Sequence, residues 1–261
     1  MDRPEPTVQT LNTPPVLILA GGRGMRLRPL TAAVPKVLLP VRGRPFIDHV
    51  VGAITAQGFC DLVVSVGWQG RLVEQHLADG RGHGASVRYV REDRPLGTGG
   101  AVRHALDSLP ETFVLTFGDV LNRASLLQML AEHRSQGHGA TLAAAFVEDR
   151  SRYGSIVLEA DRFITIREKL DAGPGVVFAG TCILDRTFVL RATAEAFALT
   201  DLFQRHPSAV GSVPVERGFV DMGTHEALGL LNDGDDNEVI DLGAIESVPT
   251  RSSIVSDAAH R

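Results

Sequence analysis

Four short, mostly apolar runs recur through the first half of the chain: VLILA at 16–20, LVVSV at 62–66, VRYV at 87–90 and FVLTF at 113–117. VLILA is too short and too continuous for an amphipathic helix and reads as a strand buried on both faces, LVVSV reads as a second buried strand, and VRYV and FVLTF read as a third and a fourth strand. The segments between them carry apolar residues at helical spacing. FIDHVVGAITAQG ends at Gly58, GRLVEQHLADG follows the second run, and AVRHALDSL follows the glycine-rich PLGTGG. SLLQMLAEHRSQG reads as a further helix and ATLAAAFV as a further strand. This alternation implies right-handed crossovers and an α/β fold with a doubly wound, mainly parallel sheet.

The second half changes character. SIVLEA, FITIREK and VVFAGTCIL are strand-like, are separated by turn residues and have few helices between them. They predict a partly antiparallel extension at one end of the sheet. A helix LTDLFQRH, a strand pair around GSVPVERGFVDMG and a helix THEALGLLNDG close the domain. Residues 1–14 read as a loose N-terminal arm, and 233–261, acidic and then serine-bearing, as a weakly ordered C-terminal tail.

Composition narrows the function. A net charge of -5 offers no electrostatic case for nucleic acid. No apolar run reaches the roughly 18–20 residues of a membrane span. The first residues lack the apolar stretch of a secretory signal, so the expected location is cytoplasmic. Cys60 and Cys182 are expected as reduced thiols packed in a core. The nine histidines are scattered, with no ligand-like spacing among them.

The loop AGGRGMR after the first strand suits phosphate. Gly21, Gly22 and Gly24 let backbone N–H groups approach phosphate oxygens. Arg26 sits where a guanidinium could grip them, and Pro35 stiffens the approach to Lys36, a point charge suited to phosphoryl oxygens. The loop departs from the dinucleotide fingerprint at Leu27 and lacks the P-loop pattern. A structural turn with solvated arginines is the alternative, and Arg23 and Arg28 fit that description best. Asp119, in FGDV at the end of the fourth strand, is placed to hold Mg²⁺, or else to cap a turn or helix. Asp221, in FVDMGTHEAL, is a second candidate, because Thr224 is the more natural N-cap of the next helix. One glycine–arginine–lysine loop with two strand-end aspartates is equipment for a nucleoside triphosphate and a metal.

Together these motifs resemble the sugar-1-phosphate nucleotidyltransferases, also called NDP-sugar pyrophosphorylases. LAGGRGMRLRPLTAAVPKVLLPV is similar to that family's opening signature almost throughout. PLGTGGA (95–101), GDV (118–120), RYGSI (152–156), EK (168 and 169), AG with LD (179–185) and FVDMGTHEAL (219–228) come after it in order. The resemblance implies a Rossmann-like nucleotide half, about 15–145, and a sugar-binding half, about 146–232, of the nucleotide-diphospho-sugar transferase fold. It implies an NTP and a sugar 1-phosphate as substrates, Mg²⁺ as cofactor, pyrophosphate as the second product and a homo-oligomer, dimer or tetramer. By that resemblance Arg26 and Lys36 would serve the phosphates, and Asp119 and Asp221 would bind Mg²⁺. Leu19, Ala20, Gly21, Gly22, Gly24, Gly97 and Thr98 would contact the nucleotide. Tyr153, Gly154, Glu168, Lys169 and Gly180 would face the sugar phosphate.

The chain departs from the family pattern at Phe178, where a polar residue is usual, at Leu170, where a proline is usual, and at Val120. SVGWQGRLVEQHLADG, EDRPLGTGGAVRHAL and EDRSRYGSI look most like the compact branch that includes D-glycero-α-D-manno-heptose 1-phosphate guanylyltransferases. The expected substrates are GTP and a manno-configured heptose or hexose 1-phosphate. The alternatives are a hexose 1-phosphate with dTTP, UTP, CTP or ATP, and a non-catalytic NDP-sugar-binding regulatory protein. Trp68 is expected as a packing residue or subunit contact, not as a platform for a base.

Overall fold

The computed structural model describes residues 13–159, 162–168, 172–215 and 220–233. Most of the expected N-terminal arm, the tail beyond Asp233, Lys169 and Leu170 lie outside the described residues.

The chain opens with β1 (Val16–Leu19), a ribbon of β2 (Pro40–Val41) and β3 (Arg44–Pro45), and α1 (Phe46–Thr55). Next come β4 (Asp61–Val66), α2 (Gly70–Leu77), β5 (Ser86–Arg91), α3 (Gly97–Ala105) and β6 (Thr112–Phe117), in strict alternation. β7 (Val120–Leu121), α4 (Leu126–Gln136) and β8 (Ala140–Val147) lead to the hairpin β9 (Gly154–Glu159) and β10 (Arg162–Glu168). The long β11 (Gly175–Asp185), α5 (Arg186–Val189), α6 (Leu199–Arg205), β12 (Val210–Val215), β13 (Val220–Asp221) and α7 (His225–Asp233) complete it.

β5, β4, β1 and β6 lie side by side and parallel, as the continuous apolar runs predict. Val16 pairs with Leu62 on one side and with Val114 on the other. The two faces of this sheet bury different helices. Val16, Ile18, Leu62 and Val64 pack with Ile47, Val50 and Val51 of α1 and Met129 of α4. Leu17, Val63, Phe113 and Leu115 pack with Val102 of α3 and Leu202 and Phe203 of α6. Every residue of β1 therefore has a partner, which is why the run shows no polar alternation. Each fully buried Val or Leu side chain contributes about 1.5–3 kcal/mol.

β11 runs antiparallel to β6 and carries the extension. Its carboxyl half pairs with β6 and β8, and its amino half pairs with β8 and touches β9. A break in register between Phe178 and Cys182 lets one strand serve both neighbourhoods. β8 runs on past residue 145, so the two halves share one sheet.

Four expectations change. The segments of GSVPVERGFVDMG do not pair with each other: β12 joins β8 in parallel, and β13 joins β7. α3 begins at Gly97, four residues before the helix read from AVRHALDSL. Cys182 is buried as expected, but Cys60 is exposed, because it sits in the turn leading into the edge of β4. Two histidines meet in space despite their sequence separation: His76 Nε2 lies 2.6 Å and His83 Nδ1 3.8 Å from Asp48 Oδ1.

Candidate active site

A cleft of about 1030 Å³ opens beyond the carboxyl ends of the parallel strands. This is where open α/β sheets bind ligands, at the point where the chain crosses to opposite sides of β1. The connection leaving each strand lines it: Leu19 to Arg23 after β1, Gly67 and Trp68 after β4, Glu92 to Pro95 after β5 and Asp119 after β6. The facing wall comes from the extension, with Arg152, Tyr153 and Gly154 before and at the start of β9, Phe178 and Gly180 in β11, and Ala198 to Thr200 at α6.

The glycine loop is folded back on itself. Gly24 takes a left-handed φ of 60°, its carbonyl accepts a hydrogen bond from Thr31 Oγ1 at 2.8 Å, and a Cβ there would press on Lys36 Cβ at 3.0 Å. Gly24 is not among the residues lining the cleft; it seats the turn that delivers Lys36. Lys36 comes directly after Pro35, in one turn of 3₁₀ helix, and is only 8% exposed. A buried ammonium needs anionic partners, and it has two. Its Nζ donates to Asp119 Oδ2 in a short contact and lies 3.8 Å from Asp221 Oδ1.

Those aspartates are about a hundred residues apart and come together through a two-strand ribbon. Asp221 of β13 sits opposite Val120 of β7, and Met222 N donates to the carbonyl of Asp119 at 3.1 Å. Asn122 secures the ribbon's base, with Nδ2 donating to Ala179 O at 2.7 Å and Thr181 Oγ1 at 2.8 Å, beside the β11 register break. Neither aspartate is spent as a helix cap. Ser125 caps α4, accepting from Gln128 N, and Thr224 Oγ1 accepts from Ala227 N at the start of α7. Burial raises the Asp221 carboxyl above its ordinary value, opposed by the nearby Lys36 ammonium and reinforced by Asp119. Two convergent carboxylates with oxygen donors only fit a hard divalent cation such as Mg²⁺.

Of the other positions singled out in the sequence, Leu19, Ala20, Gly21, Gly22, Arg26, Gly97, Thr98, Tyr153, Gly154 and Gly180 all line the cleft. Glu168 closes β10 opposite Gly154 across the hairpin. Thr98 also has structural work, since its hydroxyl accepts from Leu199 N at 2.9 Å and ties α3 to α6. The glycines of PLGTGG admit a neighbouring segment. A Cβ at Gly97, where φ is 71°, would meet Phe197 O at 2.6 Å, and one at Gly99 would meet the Phe197 ring at 2.2 Å. Burial raises the Tyr153 phenol, and the Arg152 guanidinium lies 5.6 Å from its ring centroid.

Sequence reasoning missed several lining residues. Trp68, expected as a packing residue or subunit contact, borders the cleft. Glu92 accepts from Ser65 Oγ at 2.9 Å, and a Cβ on Gly21 would come within 2.8 Å of it. Asp93, Arg94 and Arg152 also line the cleft, though no role was read for them from the motifs that contain them. Glu92 comes directly after β5, so the strand-end rule that singled out Asp119 applies to it equally. Phe178 faces the cleft with Phe117 packed edge-on at 5.7 Å, which makes that part of the facing wall apolar.

Comparison with known proteins agrees with this geometry. The family model described as "Nucleotidyl transferase" matches residues 15–236. Mannose-1-phosphate guanylyltransferase of Mycobacterium tuberculosis is 35% identical over 178 residues, which cover 67% of this chain and 50% of that protein. D-glycero-alpha-D-manno-heptose 1-phosphate guanylyltransferase of Aneurinibacillus thermoaerophilus is 31% identical over 189 residues, 72% of this chain and 82% of that one. The chain thus spans half the length of the first relative and most of the second. The fold is that of HddC from Yersinia pseudotuberculosis complexed with GMP-PN, at a TM-score of 0.72 and 23% identity over 83% of this chain and 96% of that one. A putative glucose-1-phosphate thymidylyltransferase from Bacillus anthracis, solved with sucrose, superposes at 0.75 with 25% identity over 84% and 96%.

Proposed function

Because the chain belongs to the nucleotidyl transferase family, we propose that it makes an NDP-sugar and pyrophosphate from a nucleoside triphosphate and a sugar 1-phosphate. GTP and a manno-configured hexose or heptose 1-phosphate are the proposed pair. The observation that carries this reading is the convergence of Lys36, Asp119 and Asp221 between the glycine loop and the wall built from Tyr153, Phe178 and Gly180. It supports two phosphorylated substrates meeting at one buried charge cluster.

In the proposed reaction an oxygen of the sugar phosphate attacks the α-phosphorus in line. The new P–O bond forms as the bond to the β-phosphate bridging oxygen breaks, and pyrophosphate leaves with the electron pair. No proton transfer limits such a step, so the protein's work is positioning and charge stabilisation. The backbone of Gly21 and Gly22 would approach the nucleotide. Arg26 would hold the triphosphate and stabilise the leaving pyrophosphate, while Lys36 would serve the α- and β-phosphates. Tyr153, Gly154 and Gly180 would bound the sugar phosphate. Asp119 and Asp221 would hold Mg²⁺, which when bound neutralises phosphate charge. The guanine preference rests on the names of the two relatives, and the thymidylyltransferase neighbour keeps dTTP as the second reading.

The test is pyrophosphate release across GTP, dTTP, UTP, CTP and ATP against mannose, glucose and heptose 1-phosphates. The proposal expects release with GTP and a manno-configured sugar. Release only with another pair overturns the substrate assignment, and no release with any pair leaves the non-catalytic binding protein as the reading.

A further inference from the structure

Away from the cleft, α1, α2 and the turn after α2 bring three side chains together. Asp48 lies in the first turn of α1, His76 in the last turn of α2, and His83 in the short turn Arg81–His83. One ligand atom from each lies within 4.8 Å of the other two. His76 Nε2 is 2.6 Å and His83 Nδ1 3.8 Å from Asp48 Oδ1, and the two rings lie 5.7 Å apart between centroids. None of the three lines the cleft.

We infer that Asp48, His76 and His83 form a binding site for a first-row divalent metal ion, with Zn²⁺ the best match. Two imidazole nitrogens and one carboxylate oxygen are the donor set of borderline ions, whereas Mg²⁺ asks for oxygen alone. Around a tetrahedral ion with metal–ligand bonds near 2.0–2.1 Å, neighbouring ligand atoms stand about 3.3 Å apart. The two histidine–carboxylate separations of 2.6 and 3.8 Å bracket that value, and the third pair of ligand atoms lies within 4.8 Å, so binding draws the two rings together around the ion. The burial pattern also fits. The Asp48 side chain is 10% exposed and, among the described residues, meets no lysine or arginine at ion-pair distance. A buried carboxylate faced only by imidazoles needs a cation, either a protonated ring or a metal. His76 at 29% and His83 at 20% exposure leave the outer side open for entry and for a water as fourth ligand. Bound there, the ion ties α1 to the end of α2. It is a fastening for the fold and takes no part in the transfer reaction.

The experiment uses the untagged full chain, with Zn²⁺ added alone and bound metal counted after dialysis. Co²⁺ serves as a spectroscopic probe of tetrahedral coordination. The expected result is one tightly held equivalent, a raised melting temperature, and intense Co²⁺ absorption in the visible. All three persist in Asp119→Asn/Asp221→Asn and in Cys60→Ser, which separates this site from the catalytic carboxylates and the exposed thiol. His83→Gln and His76→Gln, each keeping a polar side chain of similar length, lower the affinity by about 100-fold or more, beyond the loss of an outer-shell partner. Absence of a bound equivalent, or uptake indifferent to both histidine variants, overturns the site and leaves a plain histidine–carboxylate cluster.

Discussion

At the scale of single residues, the proposed chemistry rests on a buried cation held by two carboxylates. Lys36 is expected to act through its charge on the transferring phosphates. Lys36→Ala should therefore lower kcat/KM by about 100-fold or more in steady-state pyrophosphate release. Asp119→Asn and Asp221→Asn should each abolish the metal-dependent part of that rate. Asp221 also makes a prediction about stability. Its carboxyl is raised by burial, so the folded state takes up a proton at higher pH than the unfolded chain does. The ionised carboxylate thus opposes folding at neutral pH, and the opposition fades as pH falls through the raised value toward the ordinary 3.8. In metal-free protein Asp221→Asn should melt higher than the parent at pH 7. The difference should vanish in melts below the ordinary carboxylate range. A lower melting point for Asp221→Asn at pH 7 would mean that the Lys36 ion pair outweighs the cost of burial.

At the scale of elements, the glycines of PLGTGG show how one motif serves packing and site together. The family resemblance assigns Gly97 and Thr98 to the nucleotide, yet the glycines also open α3 to the 195–199 segment. Phe197 N donates to Leu96 O, and Phe197 O accepts from Gly99 N at 2.9 Å. Gly99→Val should drive a side chain into the Phe197 ring and destabilise the fold by about 1–3 kcal/mol, read by urea denaturation. Because that segment leads into Leu199 and Thr200 on the cleft wall, KM should rise as well. The parallel strands were legible because β1, β4 and β6 are buried on both faces, which leaves a continuous apolar run in one dimension. The β7–β13 ribbon was not legible. It is two residues long on each side and pairs positions about a hundred apart, so no local period announces it. The destination of β12 was hidden in the same way, because its partner β8 is far away in sequence.

At the scale of the whole molecule, the site lies where sequence and topology both point: beyond the carboxyl ends of strands that diverge around β1. The placement of Gly21, Gly22, Lys36, Asp119 and Asp221 at the cleft was legible because their motifs mark strand ends and turns locally. Glu92, Arg152 and Trp68 were not, since a single charged or aromatic residue in a connecting segment shows its role only once the opposite wall is in place. The Asp48–His76–His83 cluster was invisible for the same reason, its members coming from three elements that only packing unites. The central claim is that this cleft joins two phosphorylated substrates into one molecule. Its most direct test is ³¹P NMR of the protein with Mg²⁺, GTP and mannose 1-phosphate or the corresponding heptose 1-phosphate. The account predicts loss of the three triphosphate signals, with a coupled pair from a sugar-linked diphosphate and a pyrophosphate singlet growing in equal amounts. GDP with inorganic phosphate in their place, or no change for either sugar phosphate, would contradict it.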